Sequence, residues 1–552
     1  MKRSPRPRSA RATARRQARV RPGSPRPSRA PALRGRPLSS ASLITVTFPD
    51  GRRHQFPRGI RIKEIIRRAD ILMRYPIMAA RKNHQLVELN YRLSENCQLE
   101  FLDYSHPDPM RMYQRGLCFI LLKAVARLYP GLVFQIKHSI SKGLYCEFRN
   151  GIPVISASDI VRIKEEMRKI VLARIPFRRK KVPMQEAINL FKRLGQSDKV
   201  RLFRHQTKSH KNLYYCGSMV DYFYGFLPPD TGYLNLFDLE PYSPGFIVRY
   251  PEESDPTLLP PYLKQAKLSD IFREYGHWGK ILAVEDVGSL NDAIAGGKIS
   301  EIVKLSEALH EKKLIHIADQ ITDRFTRIRL VLVAGPSSSG KTTFIKRLAL
   351  HLKVNGLDTM GISLDNYFVE RVKTPRDEQG NLDYESLGAL DVPLFNEHLN
   401  ALFRGEEISM PHYDFATGHR KKGEKMRLAP NQLLVVEGIH GINDALTYSI
   451  GQDIKFKIYV SPITHLNIDN HNRIPNTDVR KIRRLVRDNL FRSYPAQETL
   501  ARWPSVRRGE ELHIYPFQDS ADMLFNSSLV YELSVLKGLA EPLLLRIREH
   551  EA

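Results

Sequence analysis

Eight residues, Gly335-Pro-Ser-Ser-Ser-Gly340-Lys341-Thr342, carry the most specific chemistry in the chain. The spacing G-x-x-x-x-G-K-[ST] lets consecutive backbone N–H groups curl around phosphate oxygens, with a lysine and a hydroxyl closing the turn. Gly335, Ser337, Ser338, Ser339, Gly340, Lys341, Thr342 and Thr343 are therefore the expected contacts to the phosphates of ATP. Lys341 would reach the β- and γ-phosphates, and the Thr342 hydroxyl would help hold Mg2+. The elements on either side suit that task. Residues 327–334, Arg-Ile-Arg-Leu-Val-Leu-Val-Ala, are a β-branched run of the sort a buried parallel strand needs. Residues 344–352 continue as an amphipathic helix whose N-terminus would face the same anion.

A phosphate loop alone serves kinases, switches and motors equally. Residues 359–364 read as a second buried strand that releases Asp365 at its C-terminal end. Residues 432–436 read as a third, releasing Glu437 at the same sheet edge, where ligands of open α/β sheets collect. A carboxylate there can accept the proton of an attacking hydroxyl and touch Mg2+. An aspartate at a strand end can also simply cap the next turn; a second carboxylate at the same edge favours chemistry. Further on, Arg480, Arg483, Arg484, Arg487 and Arg492 share a predicted helix with apolar Ile482, Leu485 and Val486. Charge runs are often plain solvated faces. On a helix with one dry face, these guanidiniums could also close on transferring phosphates.

Together with Met410-Pro-His-Tyr-Asp-Phe415 and Ser363-Leu-Asp365-Asn-Tyr367, these segments resemble the uridine kinase and phosphoribulokinase family over about 220 residues. The resemblance implies a doubly wound parallel-sheet kinase at 328–552, with Asp365 as catalytic base beside Lys341. It implies Thr342, Asp365 and Glu437 around Mg2+, and Glu385, Tyr413, His419, Arg420, Arg484, Arg487 and Arg492 around the acceptor. Two positions depart from the family pattern. Glu385 stands where the family has a ribose-binding Asp, and Gly418 stands where it has a base-reading His, leaving His419 one position late. Selectivity for uracil or cytosine is therefore expected to be loose.

The front of the chain has other signatures. Residues 43–48 alternate at period two, a turn follows at 49–51, a second strand runs through Gln55 and Phe56, residues 60–69 suit a helix, and 98–102 a late strand. This order at 41–106 resembles the β-grasp domain called TGS. Residues 107–250, with an apolar helix ending at Leu128-Tyr129-Pro130, resemble the α+β editing domain of threonyl-tRNA synthetase. Aligned on Leu128-Tyr129-Pro130, the first polar pair of that editing site falls on Arg115 and Phe119. Aligned on Tyr215-Cys216-Gly217, the second falls on Cys216 and Val220, so the site is expected to be lost. Residues 251–327 read as a linker ending in a long helix over 295–325. The three parts together are similar to bacterial TGS-containing uridine kinases.

Composition narrows the remaining choices. The 552 residues imply more than one core, and the net charge of +28 looks like a nucleic-acid signal until it is located. Thirteen arginines and lysines from Lys2 to Arg36 precede the first acid, leaving about +15 over the rest, weak support for RNA contact. Residues 1–40 lack core-forming side chains and are expected to be disordered. Four scattered cysteines fit a reducing cytoplasm, no apolar run is long enough for a membrane, and an oligomer is compatible. The expected function is ATP-dependent phosphorylation of a nucleoside 5′-hydroxyl. The alternatives are a kinase for another small alcohol, such as a sugar phosphate, and an RNA- or ribosome-associated nucleotide-binding regulator.

Overall fold

Residues 42–149, 154–263, 265–378, 380–415, 417–464 and 466–547 are described by a computed structural model; the basic stretch 1–40 lies outside them. The C-terminal region is built on five parallel strands, in the order Asp358–Ser363, Gln432–Glu437, Leu330–Ala334, Lys455–Ser461 and Met523–Asn526. Alternation along the central strand separates two cores. Leu330 and Leu332 face a cluster with Ile362, Phe395 and Leu399, while Val331 and Val333 face one with Phe344, Leu348 and Leu352. Both faces are covered, as a parallel sheet requires. The register brings Val333, Glu437 and Ser363 level at the C-terminal edge, so the phosphate loop and both carboxylates leave the sheet side by side.

The stretch 251–327 contains helices Ala266–Ile281, Val287–Ala295 and Ile299–Thr322. Leu314, Ile317, Ala318 and Ile321 of the last helix share a core with Val331 and Val333. This helix therefore packs as one wall of the C-terminal sheet. Ile271, Phe272 and Tyr275 of the first join a cluster with Tyr459 and Leu524.

At the front, strands Leu43–Thr47, Arg53–Pro57, Ile77–Lys82, Gln85–Glu88 and Cys97–Asp103 form one mixed sheet over helix Ile62–Arg68. The next region wraps two antiparallel sheets about the buried helix Pro107–Leu128. Helix Ala157–Leu172 starts at Ser156, whose hydroxyl and the Asp159 carboxylate exchange hydrogen bonds with each other's backbone N–H in a capping box. All four cysteines are buried free thiols. No helix among the described residues is long and apolar enough to cross a membrane.

Leu332 is fully buried in the central strand, so Leu332→Ala should cost the C-terminal region about 2–5 kcal/mol. Urea unfolding followed by hydrogen exchange of residues 330–334 measures this; a loss below about 1 kcal/mol would mean that the sheet core is not close-packed there.

Candidate active site

Gly340 takes φ +89°, the left-handed conformation that turns the phosphate loop into helix Lys341–Val354. The Lys341 ammonium folds back onto the loop, donating to the Gly335 carbonyl at 2.9 Å. Burial lowers its pKa, against the opposing charges of Asp365, Glu437 and Glu385. Those three carboxylates thus share one site with the lysine, although Glu385 comes from a loop outside the strands. Thr342 Oγ1 donates to Glu437 Oε2 at 2.9 Å, and Asp365 stands exposed just beyond its strand. Thr343 is exposed on the first helical turn.

The predicted arginine helix spans Asn476–Arg492. Arg484 Nη1 donates to Ser337 Oγ at 2.8 Å, and Arg480 Nε to the Ser337 carbonyl at 3.0 Å. The Ser337 N–H in turn donates to Glu510 Oε1 at 3.1 Å, and Glu510 makes a buried ion pair with Arg480. Arg487 and Arg492 gather on Asp488, and the negative charge of Asp365 also bears on Arg492. Arg480 belongs to the basic run noted in the sequence, but Glu510 carries no local signal, because its partner Ser337 is 173 residues away.

Glu385 lies under helix Ala496–His513, where a Cβ on Gly509 would stand 2.2 Å from Glu385 Cβ. Only glycine lets the helix approach so closely. Burial first, and the charge of Glu510 second, push the Glu385 carboxyl up to about 7, against Arg484 and Lys341. Its Oε2 is buried without a hydrogen-bond partner, as are both ring nitrogens of His440, which burial keeps neutral with a pKa near 4.

The acceptor side differs from expectation at two positions. The His419 side chain is exposed, with Nδ1 2.7 Å from Glu370 Oε2, and Arg420 pairs with Asp391 at 2.8 Å. Each meets a carboxylate at the edge of the site. The space beside Gly418 belongs to Arg371, 2.6 Å from where a Cβ would be. Arg371 neighbours the Tyr384 and Tyr413 hydroxyls. Phe368, Tyr413 and Phe415 stand 5.0–5.5 Å apart as an aromatic wall.

The oxygens of Thr342, Glu437 and Asp365 suit Mg2+, a hard cation held by one or two carboxylates together with phosphate oxygens. Among the described residues no cluster of three or more His, Cys, Asp or Glu forms an all-protein metal cage.

In the front half, Phe119 packs against Phe223 at 5.2 Å and against Phe177 at 5.6 Å, while Arg115 donates to the Phe226 carbonyl. Cys216 instead lies by Lys123, which donates to its carbonyl. Arg115 and Phe119 thus meet Phe177 and the segment around Phe223 and Phe226, and not Cys216 or Val220 as the alignment placed them. Rings fill the place where polar ligands were sought.

Residues 330–533 match the model of the Phosphoribulokinase / Uridine kinase family. A 197-residue stretch is 30% identical to threonine–tRNA ligase of Streptococcus agalactiae serotype Ia, covering 36% of this chain and 30% of that protein. The chain thus spans under a third of the length of the ligases it matches. Solved structures similar to it include a "possible uridine kinase" of Bacillus stearothermophilus, at 20% identity and TM-score 0.26, covering 38% of this chain and 97% of that one. Another is D-glycerate 3-kinase of Cryptococcus neoformans, at 16% identity and TM-score 0.28, covering 38% and 89%. The family match therefore lies in the C-terminal region, and the other match is to part of a threonine–tRNA ligase.

The raised Glu385 carboxyl gives a sign-defined test. The folded state holds this proton more tightly than the unfolded chain, so the stability it contributes is complete below about pH 4.5 and lost as pH rises through about 7. Wild type should therefore lose melting temperature relative to Glu385→Gln over that window. A difference that stays flat between pH 5 and 8 would show that Glu385 titrates normally.

Proposed function

We propose that the C-terminal region transfers the γ-phosphoryl group of ATP to a hydroxyl of a nucleoside-like acceptor. The observation that carries this reading is the convergence of Lys341, Asp365 and Glu437 at one sheet edge, under a helix whose Arg480 and Arg484 grip the phosphate loop. A switch that only binds nucleotide needs no hydroxyl-activating base. The acceptor oxygen attacks the γ-phosphorus in line, its proton passes to the Asp365 carboxylate, and the bond to the bridging oxygen breaks as ADP leaves. Lys341 and Arg484 face the negative charge spread over the transferring group, while Arg480, paired with Glu510, holds the loop at Ser337. Mg2+, when bound through Thr342, Asp365 and Glu437, supplies further neutralisation of the phosphates.

The acceptor pocket favours a nucleoside over a bare sugar phosphate. Glu385 suits a sugar hydroxyl, and the wall of Phe368, Tyr413 and Phe415 suits a planar base. Arg371 has donors only, so it suits a base carbonyl in place of the displaced His419.

ADP release measured against a panel of nucleosides tests the reading. Wild type should turn over at least one of them, Lys341→Ala should abolish transfer, and Asp365→Asn should lose at least about a hundredfold in kcat while still binding ATP. Near-normal turnover by Asp365→Asn would remove it as the base.

Arg371→Met should raise the acceptor KM about tenfold or more and leave the ATP KM unchanged, the pattern of a lost base contact. Equal effects on both constants would place Arg371 outside the acceptor pocket.

A further inference from the structure

Between the strand Lys455–Ser461 and the arginine helix, the chain leaves the C-terminal region and enters the front half. Asp469 and Lys199 are completely buried together, 3.7 Å apart, and Lys199 Nζ lies 3.0 Å from the equally buried Asp221. His471 Nδ1 stands 2.6 Å from Asp221 and 2.8 Å from Lys199 Nζ. Backbone bonds fix the same segment. The Asn470 N–H donates to Asp198 at 2.8 Å, its carbonyl accepts from the Ile136 N–H at 2.8 Å, and the Asn472 amide donates to the Tyr222 carbonyl at 2.9 Å.

Lys199 and Asp221 pair within the front half, whereas Asp469 without Lys199 would be a buried anion held only by hydrogen bonds from the His471 N–H and Asn472. Buried ion networks of this kind add little net stability, but they fix register, because every misplaced partner is costly. What is held in register here is the approach to the arginine helix. Asn472 lies four residues before Asn476, the first residue of that helix, and Arg480 and Arg484 follow one and two turns later on Ser337.

Resting on the kinase reading above, we propose that Lys199 and Asp221 are positioning residues for phosphoryl transfer. They seat the segment Asp469–Asn472, and that seat fixes the helix that presents Arg480 and Arg484 to the phosphate loop. The front half would then act in the same chain as a brace for the catalytic lid, its former cleft filled by phenylalanines and its polar edge turned into a socket.

The test uses the full chain and two variants, Lys199→Met and the milder Gln135→Ala, which removes only the amide contact of 2.7 Å to Asn470. Hydrogen exchange of residues 476–492 is read beside kcat and the KM for ATP. Lys199→Met should lower exchange protection of that helix at least tenfold and kcat at least tenfold, with the ATP KM within threefold of wild type. Gln135→Ala should move the same quantities in the same direction by two- to threefold, which covers the case in which Lys199→Met fails to fold. Unchanged protection of 476–492 in the folded variants overturns the proposal, as does loosening of the helix with wild-type kcat. If wild type phosphorylates no acceptor, the kinase reading fails instead, and the exchange data still decide whether the seat holds the helix.

Discussion

Arg480 and Glu510 meet on the backbone of Ser337, the guanidinium on its carbonyl and the carboxylate on its N–H. Three elements converge on this point: the phosphate loop, the arginine helix and the helix Ala496–His513. Each charge is almost completely buried, so neither could remain without the other. The Arg480 side chain also lies against Trp503 and hydrogen-bonds the Tyr515 hydroxyl, which closes the contact from its far side. Much of the site's geometry follows from it. Gly509, next to Glu510, must lack a side chain because the contact draws its helix onto Glu385. Glu385 is in turn pushed toward its neutral form by burial under that helix first and by the charge of Glu510 second. A single ion pair thereby sets both the phosphate end and the acceptor end of the cleft.

What could be read from the sequence divides along the same line. The strand, loop and helix around Gly335–Thr342 were legible because their signal is local: period, glycine spacing and an apolar run within 30 residues. Asp365 and Glu437 were legible because a parallel sheet presents strand ends together. Glu510, Arg371 and Gly509 were not, since their roles come from partners far along the chain and their own neighbourhoods are ordinary helix and turn. His419 was read by offset from a family pattern, and the backbone around it is pinned by a contact that an offset does not see. Here the Arg371 guanidinium fills the space at Gly418, and the strand that follows points His419 and Arg420 toward Glu370 and Asp391.

Over residues 41–106 the fold was legible at the level of element order, while two strands, Ile77–Lys82 and Gln85–Glu88, went unread. Their sequences, Ile-Met-Ala-Ala-Arg-Lys and Gln-Leu-Val-Glu, carry little β-branched character, and pairing rather than propensity makes them strands. The displaced alignment at Cys216 has a comparable cause. Cys216 ends a strand that turns straight back, pairing with Met219, and meets the buried helix at Lys123, so the chain travels further before it reaches Arg115 and Phe119. Counting residues from a cysteine cannot see that hairpin. Fold and site part company here: the scaffold persists while Phe119, Phe177 and Phe223 occupy its cleft.

The order of parts along the chain gives the seam between the halves a mechanical meaning. A helix is stiff over a few turns and rises about 1.5 Å per residue, so Arg480 lies about 6 Å along the axis from Asn476, and Arg484 about 12 Å. A loop would absorb a displacement at the seat of Asp469–Asn472 before it reached the phosphates. A helix that starts four residues later carries most of it through. An apolar seam would bury the same area but tolerate sliding, because hydrophobic contact is non-directional. Ion pairs and backbone bonds do not slide. Hydrogen bonds from Arg480 and Arg484 to Ser337 and a charge network just before the helix N-terminus hold the first half of the helix at two points, and only one of those points belongs to the C-terminal sheet region itself.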